Sequence, residues 1–210
     1  EDRFEHLPLE CSHLYLAIEG KLAAVICVED PLREEAADAV RELKEAGITK
    51  VVMMTGDSER TAATIAKRVG VDEYYSEVLP EDKASFVERE KELGHKVIMI
   101  GDGINDSLAL SSASVGIAIS DGAAIAREIA DVTISADNLH EIVTLKRLST
   151  ALMKRIHNNY RTIIGINGGL IALGVTGIIM PTTSALLHNM STLTISLRSM
   201  RNLLPKEEEA

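Results

Sequence analysis

The chain has 210 residues, a formal net charge of −10 and an apolar content of 46%, which is enough for a sizeable core. An acidic chain with no Trp and 3% aromatic residues has neither the basic surface nor the stacking side chains that nucleic acids require, so we expect no nucleic-acid partner. The charge is uneven: residues 1–148 hold 16 basic and 29 acidic side chains, whereas residues 149–210 hold 6 and 3. We therefore predict an acidic domain over 1–148, a helical segment over 149–204 and an acidic tail over 205–210.

Neither of the two cysteines, Cys11 and Cys27, belongs to a Cys-x-x-Cys pair. Cys27 lies in an apolar run, which predicts a buried free thiol, and the absence of a disulfide framework suits a reducing cytosol. The chain begins with Glu1 and shows no signal peptide, so we expect it to be a piece of a longer protein.

The first part of the chain predicts a hairpin and then a strand and helix pattern. Apolar runs at Leu14–Ile18 and Leu22–Val28 flank a Glu-Gly-Lys turn and indicate two antiparallel strands. Apolar residues at helical spacing then stop at Gly47, which is a natural helix end. A short apolar strand follows and ends in Thr55-Gly56-Asp57-Ser58, where Ser58 is a suitable cap for a helix to Val69.

The second part of the acidic domain continues the alternation. Pro80 opens a helix with Lys83 in its first turn, and the apolar run Val97–Ile100 predicts a buried strand. Further strands are indicated over residues 115–119 and 131–134, with a helix between them. Strands that alternate with short helices predict a right-handed, mostly parallel sheet, and in such a sheet Thr55, Lys83 and Asp102 reach one edge.

The turn after the Val97–Ile100 strand has the residue types of a cation site. Asp102, Asn105 and Asp106 supply two carboxylates and a carboxamide within five residues, and the intervening glycine permits close backbone approach. Such oxygen ligands suit Mg²⁺, although Asp, Asn and Gly are also the ordinary residues of a solvated turn. The hydroxyl of Thr55 and the ammonium group of Lys83 add what phosphoryl transfer requires, namely donors for phosphoryl oxygens.

The remainder of the chain predicts long helices. Residues 138–157 repeat apolar side chains at helical spacing, and Thr162–Met180 is an uncharged run close to the roughly 20 residues that cross a bilayer. Ala185–Leu197 is a second, shorter apolar run, and basic residues flank the pair, so we predict two membrane passes with both ends in the cytoplasm. A helical hairpin buried in a soluble core is the alternative.

Four polar residues lie inside these apolar runs, where each needs a polar partner because water is absent: Asn167, His188, Asn189 and Ser191. If that partner is a metal ion, a neutral imidazole and a carboxamide suit Zn²⁺, Co²⁺ or Mn²⁺ better than Cu⁺, which favours sulfur ligands. The alternative is that these side chains only form hydrogen bonds between neighbouring helices.

Three stretches of the chain resemble, in order, the second, third and fourth motifs of the haloacid-dehalogenase-like fold as P-type ATPases spell them: Thr55-Gly56-Asp57, Pro80-Glu81-Asp82-Lys83 and Gly101-Asp102-Gly103-Ile104-Asn105-Asp106. Asp30-Pro31-Leu32-Arg33 resembles the Asp-Pro-x-Arg hinge motif of that family. The paired apolar segments are similar to those at the carboxyl end of its heavy-metal subclass. The resemblance extends from about Leu14 to Leu204.

The resemblance implies an α/β fold: a Rossmann-like haloacid-dehalogenase-type domain with a parallel sheet, followed by a transmembrane α-helical hairpin. It implies that Asp102 and Asp106 hold Mg²⁺ and that Asn105 orients their loop. Thr55 and the Gly56 amide then donate to phosphoryl oxygens, with Asp57 in the same motif.

The resemblance also implies that Lys83 offsets the developing negative charge. Asp30 and Arg33 steady the nucleotide side of the hinge, and His188, with Asn167, Asn189 and Ser191, is a candidate ligand of the transported metal.

At the level of function, the resemblance implies one part of an ATP-driven pump that couples formation and hydrolysis of an aspartyl phosphate to transport of a divalent metal such as Zn, Cd, Co or Mn. The implied partners are ATP, Mg²⁺, the metal ion and a lipid membrane. The implied location is the cell membrane, multi-pass, with the haloacid-dehalogenase-like domain in the cytoplasm.

The Asp-Lys-Thr-Gly-Thr stretch that receives the phosphoryl group in P-type ATPases is absent from this sequence. We therefore expect the amino-terminal portion of the pump to be missing and the isolated chain to be inactive. Alternatives are a non-catalytic membrane-anchored partner of such a pump, a soluble phosphatase of the same fold, and a potassium-type relative. The uncharged segments and the absent Asp disfavour the phosphatase.

Overall fold

The structure is a computed structural model, and it describes residues 12–28, 31–102, 106–119, 128–134 and 138–204. The chain divides into two compact units, Glu1–Val143 and Thr144–Ala210. The sequence placed this division at residue 148. Asp30, Asn105 and the acidic tail at 205–210 lie outside the described residues, so the predictions made for them stay predictions.

The first unit contains seven described strands and four described helices. The strands are β1 (Ser12–Ile18), β2 (Lys21–Val28), β3 (Val52–Met54), β4 (Glu73–Tyr75), β5 (Ile98–Gly101), β6 (Val115–Ile119) and β7 (Val132–Ile134). The helices are α1 (Ala36–Glu45), α2 (Glu59–Val69), α3 (Pro80–Glu92) and α4 (Ser107–Ser112). Helix α5 (His140–Val175) starts in this unit and continues into the second, and α6 (Pro181–Ser199) follows it.

The parallel strands form two separate ladders. Strand β3 pairs with β4, and β5 pairs with β6, which in turn pairs with β7. The prediction of an α/β domain with parallel strands is confirmed. The apolar residues of β6 are its most buried part, since Ile117 is 2% and Ala118 0% exposed between two neighbouring strands.

Strands β1 and β2 form the predicted antiparallel hairpin, in which Leu14 lies opposite Ile26 and His13 opposite Cys27. One face of the hairpin is open, since Leu14 is 59% and Ile26 54% exposed. The prediction that Cys27 is buried is wrong: its side chain is exposed, because an apolar run in a two-stranded hairpin has no second layer over it.

Helices α3 and α4 pack closely because the residues between them are small. Ala84, Val87 and Ala109 form the buried cluster, and Val97, Met99 and Ala113 pack against it. Ala84 follows Lys83 directly, and Ala109 lies one turn after Asp106, so this contact fixes the distance between those two polar residues.

In the second unit the helix ends differ from the prediction. Helix α5 runs without a break through the two predicted segments but ends at Val175, and Gly177 then turns the chain with a φ of 74°. The uncharged run Thr162–Met180 therefore belongs to α5 only as far as Val175. No helix in the described part of the chain combines the length and the apolar character that a membrane crossing requires.

Arg155 ties the two long helices together. Its Nη1 donates to the carbonyl oxygens of Ser199 at 2.9 Å and of Arg201 at 2.5 Å, and its Nη2 donates to that of Asn202 at 2.9 Å. Nearby, the Asn159 amide donates to the Ser199 hydroxyl at 2.7 Å. The carbonyl groups that a helix leaves unpaired at its carboxyl end are thus bound by a cation, which also favours the negative end of the helix dipole.

Asp72 joins α1 and the end of α2 to the start of β3. It accepts hydrogen bonds from Lys44 Nζ at 2.8 Å and from the Val51 amide at 2.7 Å. The bond from Lys44 is the main cause, and the bond from Val51 a second cause, that the pKa of Asp72 lies below its ordinary value of 3.8.

A carboxyl group whose pKa falls on folding stabilises the folded state above its unfolded pKa and loses that effect as the pH falls through the folded pKa. We expect the difference in unfolding free energy between the wild type and Asp72→Asn to be constant near neutral pH and to shrink below about pH 3.8. Urea unfolding followed by circular dichroism across this range measures it. Lys44→Met, which removes the main cause, should flatten the dependence; an unchanged slope in Lys44→Met would contradict the assignment.

Candidate active site

The candidate site is built on residues at the carboxyl ends of the parallel strands. Strand β3 pairs with β4, and β5 pairs with β6, in two separate ladders. In α/β sheets, ligands bind beyond the carboxyl ends of the strands. Thr55 directly follows β3 and Asp102 directly follows β5, so each lies at the carboxyl end of a parallel strand.

Helix α3 contacts both ladders and so holds them together. Phe86 packs on Tyr75 of β4 with ring centroids 5.2 Å apart, while Ala84 and Val87 belong to the cluster against which Met99 of β5 packs. Strands β3 and β5 are apolar but only partly covered. All three residues of β3 are half-buried, and Ile98 of β5 is 40% exposed. Continuous apolar strands of this kind are typical of sheet interiors.

The loop after β3 is held by a short network of hydrogen bonds. Thr55 Oγ1 donates to Asp57 Oδ2 at 2.7 Å and accepts from the Asp57 amide at 3.1 Å. The backbone of Thr55 bonds to Tyr75 and Val78, through its amide to the Tyr75 carbonyl and through its carbonyl to the Val78 amide, each at 3.0 Å. Thr55 is therefore fixed to the segment that leads into α3, the helix that carries Lys83.

Glu59 strengthens the same corner from α2. Its carboxylate accepts hydrogen bonds from the Ser76 hydroxyl at 2.5 Å and from the Tyr74 hydroxyl at 2.7 Å. The Ser76 bond first, and the Tyr74 bond second, lower the pKa of Glu59, and the same Glu59 bond raises the pKa of Tyr74. Both shifts favour the protonation states in which the hydrogen bonds persist at neutral pH.

Lys83 and Asp106 form an ion pair across the site. Lys83 Nζ donates to Asp106 Oδ1 at 2.7 Å, and the two side chains are 16% and 12% exposed. The pair joins α3, which follows strand β4 of one ladder, to the start of α4, which follows strand β5 of the other. A charge-assisted hydrogen bond between two mostly buried groups is strong only while both partners are present.

The second carboxylate oxygen of Asp106 lies against Gly101. A Cβ atom at position 101 would come within 2.7 Å of Asp106 Cβ, and it would strike Asp106 Oδ2 as well. Only glycine leaves this space open. Gly101 therefore lets the Asp106 carboxylate approach the end of β5, directly beside Asp102.

The donor set fits Mg²⁺ bound together with a phosphate group. Mg²⁺ commonly takes one or two protein carboxylates and fills its remaining positions with phosphate oxygens and water. Asp102 and Asp106 Oδ2 would supply the carboxylate oxygens, while Asp106 Oδ1 is engaged by Lys83. Among the described residues, no group of three or more His, Cys, Asp or Glu side chains is placed to hold a metal ion without such help.

Arg33 of the hinge motif lies 3.9 Å from Glu35, measured between Arg33 Nη1 and Glu35 Oε1. Its partner in that motif, Asp30, is outside the described residues, so the role predicted for the two stays a prediction.

Two of the candidate ligands for a transported metal come together in the second unit. His188 Nδ1 lies 2.9 Å from Asn167 Oδ1, which joins α6 to α5. Ser191 instead donates to the His188 carbonyl of its own helix at 2.7 Å, as does Thr192 at 3.1 Å. Asn189 lies beside His188 in α6. A polar contact between two apolar helices is thus formed, as both interpretations of these residues predict.

Sequence reasoning missed three features of the site. It assigned Asp106 to Mg²⁺ and did not foresee the pairing with Lys83, although the two residues lie in neighbouring motifs. It also missed the anchoring carboxylates Glu59 and Asp72. The sequence holds no local signal for either carboxylate, because Tyr74 and Ser76 lie 15 and 17 residues from Glu59, and Lys44 lies 28 residues from Asp72.

A family model described as haloacid dehalogenase-like hydrolase matches residues 2–114 of the chain. The chain is 37% identical over 189 residues to the zinc-exporting P-type ATPase of Mycobacterium marinum. This alignment covers 90% of this chain and 26% of the relative. It is 43% identical over 176 residues to copper-transporting ATPase 2 of Rhizobium meliloti, covering 84% of this chain and 21% of the relative.

A crystal structure of a zinc-transporting PIB-type ATPase in the E2.Pi state aligns with 94% of this chain and with 32% of its own, at 30% identity and a TM-score of 0.81. The chain spans about a quarter of the length of the two relatives from Mycobacterium marinum and Rhizobium meliloti.

The Lys83–Asp106 pair generates a prediction about stability. Lys83→Met or Asp106→Leu alone should lower the unfolding free energy by about 3 kcal/mol, because each leaves a mostly buried charged group without its partner. The double variant Lys83→Met with Asp106→Leu should recover most of that loss. Urea unfolding of the four proteins forms a double-mutant cycle, and strictly additive losses would contradict a direct pair.

Proposed function

Because the chain belongs to the haloacid dehalogenase-like hydrolase family, we propose that it forms the carboxyl-terminal part of an ATP-driven heavy-metal pump of the P type. The observation that carries the proposal is the mostly buried Lys83–Asp106 pair, whose carboxylate lies against Gly101, the residue before Asp102. In this proposal the Lys83 ammonium, the two carboxylates and the Thr55 loop surround the position that a phosphoryl group occupies. We propose phosphoryl transfer as the chemistry.

In this proposal each residue has a separate task. The Lys83 ammonium has three N–H donors, of which Asp106 takes one, so the others are directed to phosphoryl oxygens. Thr55 Oγ1 now donates to Asp57, and it turns to donate to the phosphoryl group, with the Gly56 amide as a second donor. Asp102 and Asp106 hold Mg²⁺, which supplies positive charge to the transferring group when it is bound.

The carboxylate that accepts the phosphoryl group is proposed to come from the rest of the pump. In this step its oxygen forms the bond to the γ-phosphorus of ATP while the bond to the leaving ADP oxygen breaks. The partly exposed apolar residues of β3 and β5 support this proposal, because a further strand contributed by the rest of the pump would cover them.

The proposed cargo is a divalent metal ion. The His188–Asn167 contact supports it, since an imidazole and a carboxamide suit Zn²⁺, Co²⁺, Mn²⁺ or Cd²⁺ better than Cu⁺. The matched relatives include both a zinc exporter and a copper transporter, so the identity of the ion rests on the ligand chemistry of this chain.

We also propose that the second unit lies in the cell membrane, with the first unit in the cytoplasm. Two observations support this. No Asp, Glu, Lys or Arg occurs from Thr162 to Leu197, and twelve large apolar side chains from Ile163 to Leu197 are 40 to 84% exposed. Such an apolar surface needs lipid or the helices of a neighbouring segment to cover it.

In a complete pump that contains this chain, Lys83→Ala and Asp102→Asn should each reduce phosphoenzyme formation from ATP by at least about a hundredfold, because electrostatic stabilisation of the transferring group is lost. Labelling with γ-³²P-ATP measures the phosphoenzyme. Lys67→Ala, which removes an exposed lysine of α2, is the matched control and should label normally. Normal labelling of Lys83→Ala would refute the assignment.

The chain by itself should show no ATPase activity that Zn²⁺, Co²⁺ or Mn²⁺ stimulates, because the acceptor carboxylate is absent. Phosphate release from ATP by the purified chain, with and without each metal, measures this. Metal-stimulated turnover that disappears in Asp102→Asn would mean that the acceptor lies within the chain.

A further inference from the structure

The short helix α4 rests on a face of the sheet on which three of the four residues of the β5–β6 ladder are very small. Met99 lies opposite Gly116 and Gly101 opposite Ala118, so these four residues share one face. Ala109 and Leu110 of α4 are 0% and 1% exposed, as expected for a helix seated directly on this face. Gly101 lies beneath the start of α4, and Gly116 lies beneath its later part.

Gly116 touches the backbone of α4 and not a flexible side chain. A Cβ atom at position 116 would lie 2.6 Å from the Leu110 carbonyl oxygen and 3.1 Å from the Leu110 carbonyl carbon. A flexible side chain can rotate away from such a contact, but a helix backbone must move as a whole. Any larger residue at 116 therefore displaces α4 from the sheet.

Asp131 fixes the strand that carries Gly116. Its Oδ2 accepts a hydrogen bond from the Gly116 amide at 2.9 Å, just before β7 begins. Gly116 therefore makes both contacts: its amide bonds to Asp131, and its lack of a side chain leaves room for α4. Asp131 thus acts on the position of Gly116, and Gly116 acts on the position of α4.

A displacement at Leu110 reaches Asp106, because α4 spans only residues 107–112 and the Leu110 amide donates to the Asp106 carbonyl at 2.8 Å. Asp106 in turn binds Lys83 at 2.7 Å. Catalytic groups tolerate little misplacement, since a shift of about 1 Å costs on the order of a hundredfold in rate.

We propose that Gly116 and Asp131 are positioning residues for the Lys83–Asp106 pair. They set the height of α4 above the sheet and thereby the place of the Lys83 ammonium. The importance of this packing of α4 for phosphoryl transfer rests on the function proposed above, whereas the packing itself does not.

The test measures the reactivity of each lysine in the purified, folded chain by competitive acylation with acetic anhydride and mass spectrometry, with exposed Lys67 as internal reference. Gly116→Ala should raise the relative acylation rate of Lys83 roughly tenfold, towards the rate in Asp106→Asn, because a loosened ion pair frees the amine. Val143→Ala, which removes a buried side chain outside α4, controls for general destabilisation and should leave Lys83 as in the wild type.

Two variants at Asp131 keep the test decisive if Gly116→Ala does not fold. Asp131→Asn retains an acceptor oxygen and should leave Lys83 unchanged, whereas Asp131→Leu removes the acceptor and should raise its acylation rate. Equal rates in the two variants, or an unchanged rate in a folded Gly116→Ala, would overturn the proposal.

No phosphate or metal takes part in this assay. Its result is therefore separable from a failure of the Lys83→Ala phosphorylation experiment, which alone bears on the proposed function.

Discussion

The ion pair between Lys83 and Asp106 is the contact on which the arrangement of the site depends. The parallel strands form two ladders that share no strand. The pair connects α3, which follows β4 of one ladder, with the start of α4, which follows β5 of the other. Its strength follows from its surroundings. The Ala84, Val87 and Ala109 cluster brings α3 and α4 together, Gly101 makes room for the carboxylate, and burial protects the pair from water. A different side chain at any of these small positions would act on the pair without touching a reacting group.

Much of the fold was predictable because it follows from local rules. The β1–β2 hairpin, the helix that begins at Pro80 and the parallel strands of the α/β domain all followed from apolar periodicity and from caps and turns. Those signals lie within a few residues of one another in the sequence. They do not specify how far apart two elements lie, which is why the division into two ladders did not follow from them.

The sequence indicated the local positions of the candidate residues but not their contacts. Thr55 and Asp102 each directly follow a parallel strand and Lys83 lies in the first turn of α3, whereas the partner of Lys83 and the close approach at Gly101 depend on packing between distant elements. The predictions for Cys27 and for the end of α5 were wrong for a similar reason. An apolar run predicts burial only if another layer covers it. An uncharged run does not indicate where its helix ends, and α5 ends at Val175, before the turn at Gly177.

The clamp of Arg155 on the end of α6 has a mechanical consequence. One planar guanidinium group binds three carbonyl oxygens, those of Ser199, Arg201 and Asn202, and its donors point in fixed directions. If α6 slid along α5 by a single residue, all three bonds would be lost together, so small sliding motions meet a steep barrier. The two helices should therefore tilt or translate as one rigid strut, and a polar contact between them, such as that of His188 with Asn167, keeps its geometry while the strut moves.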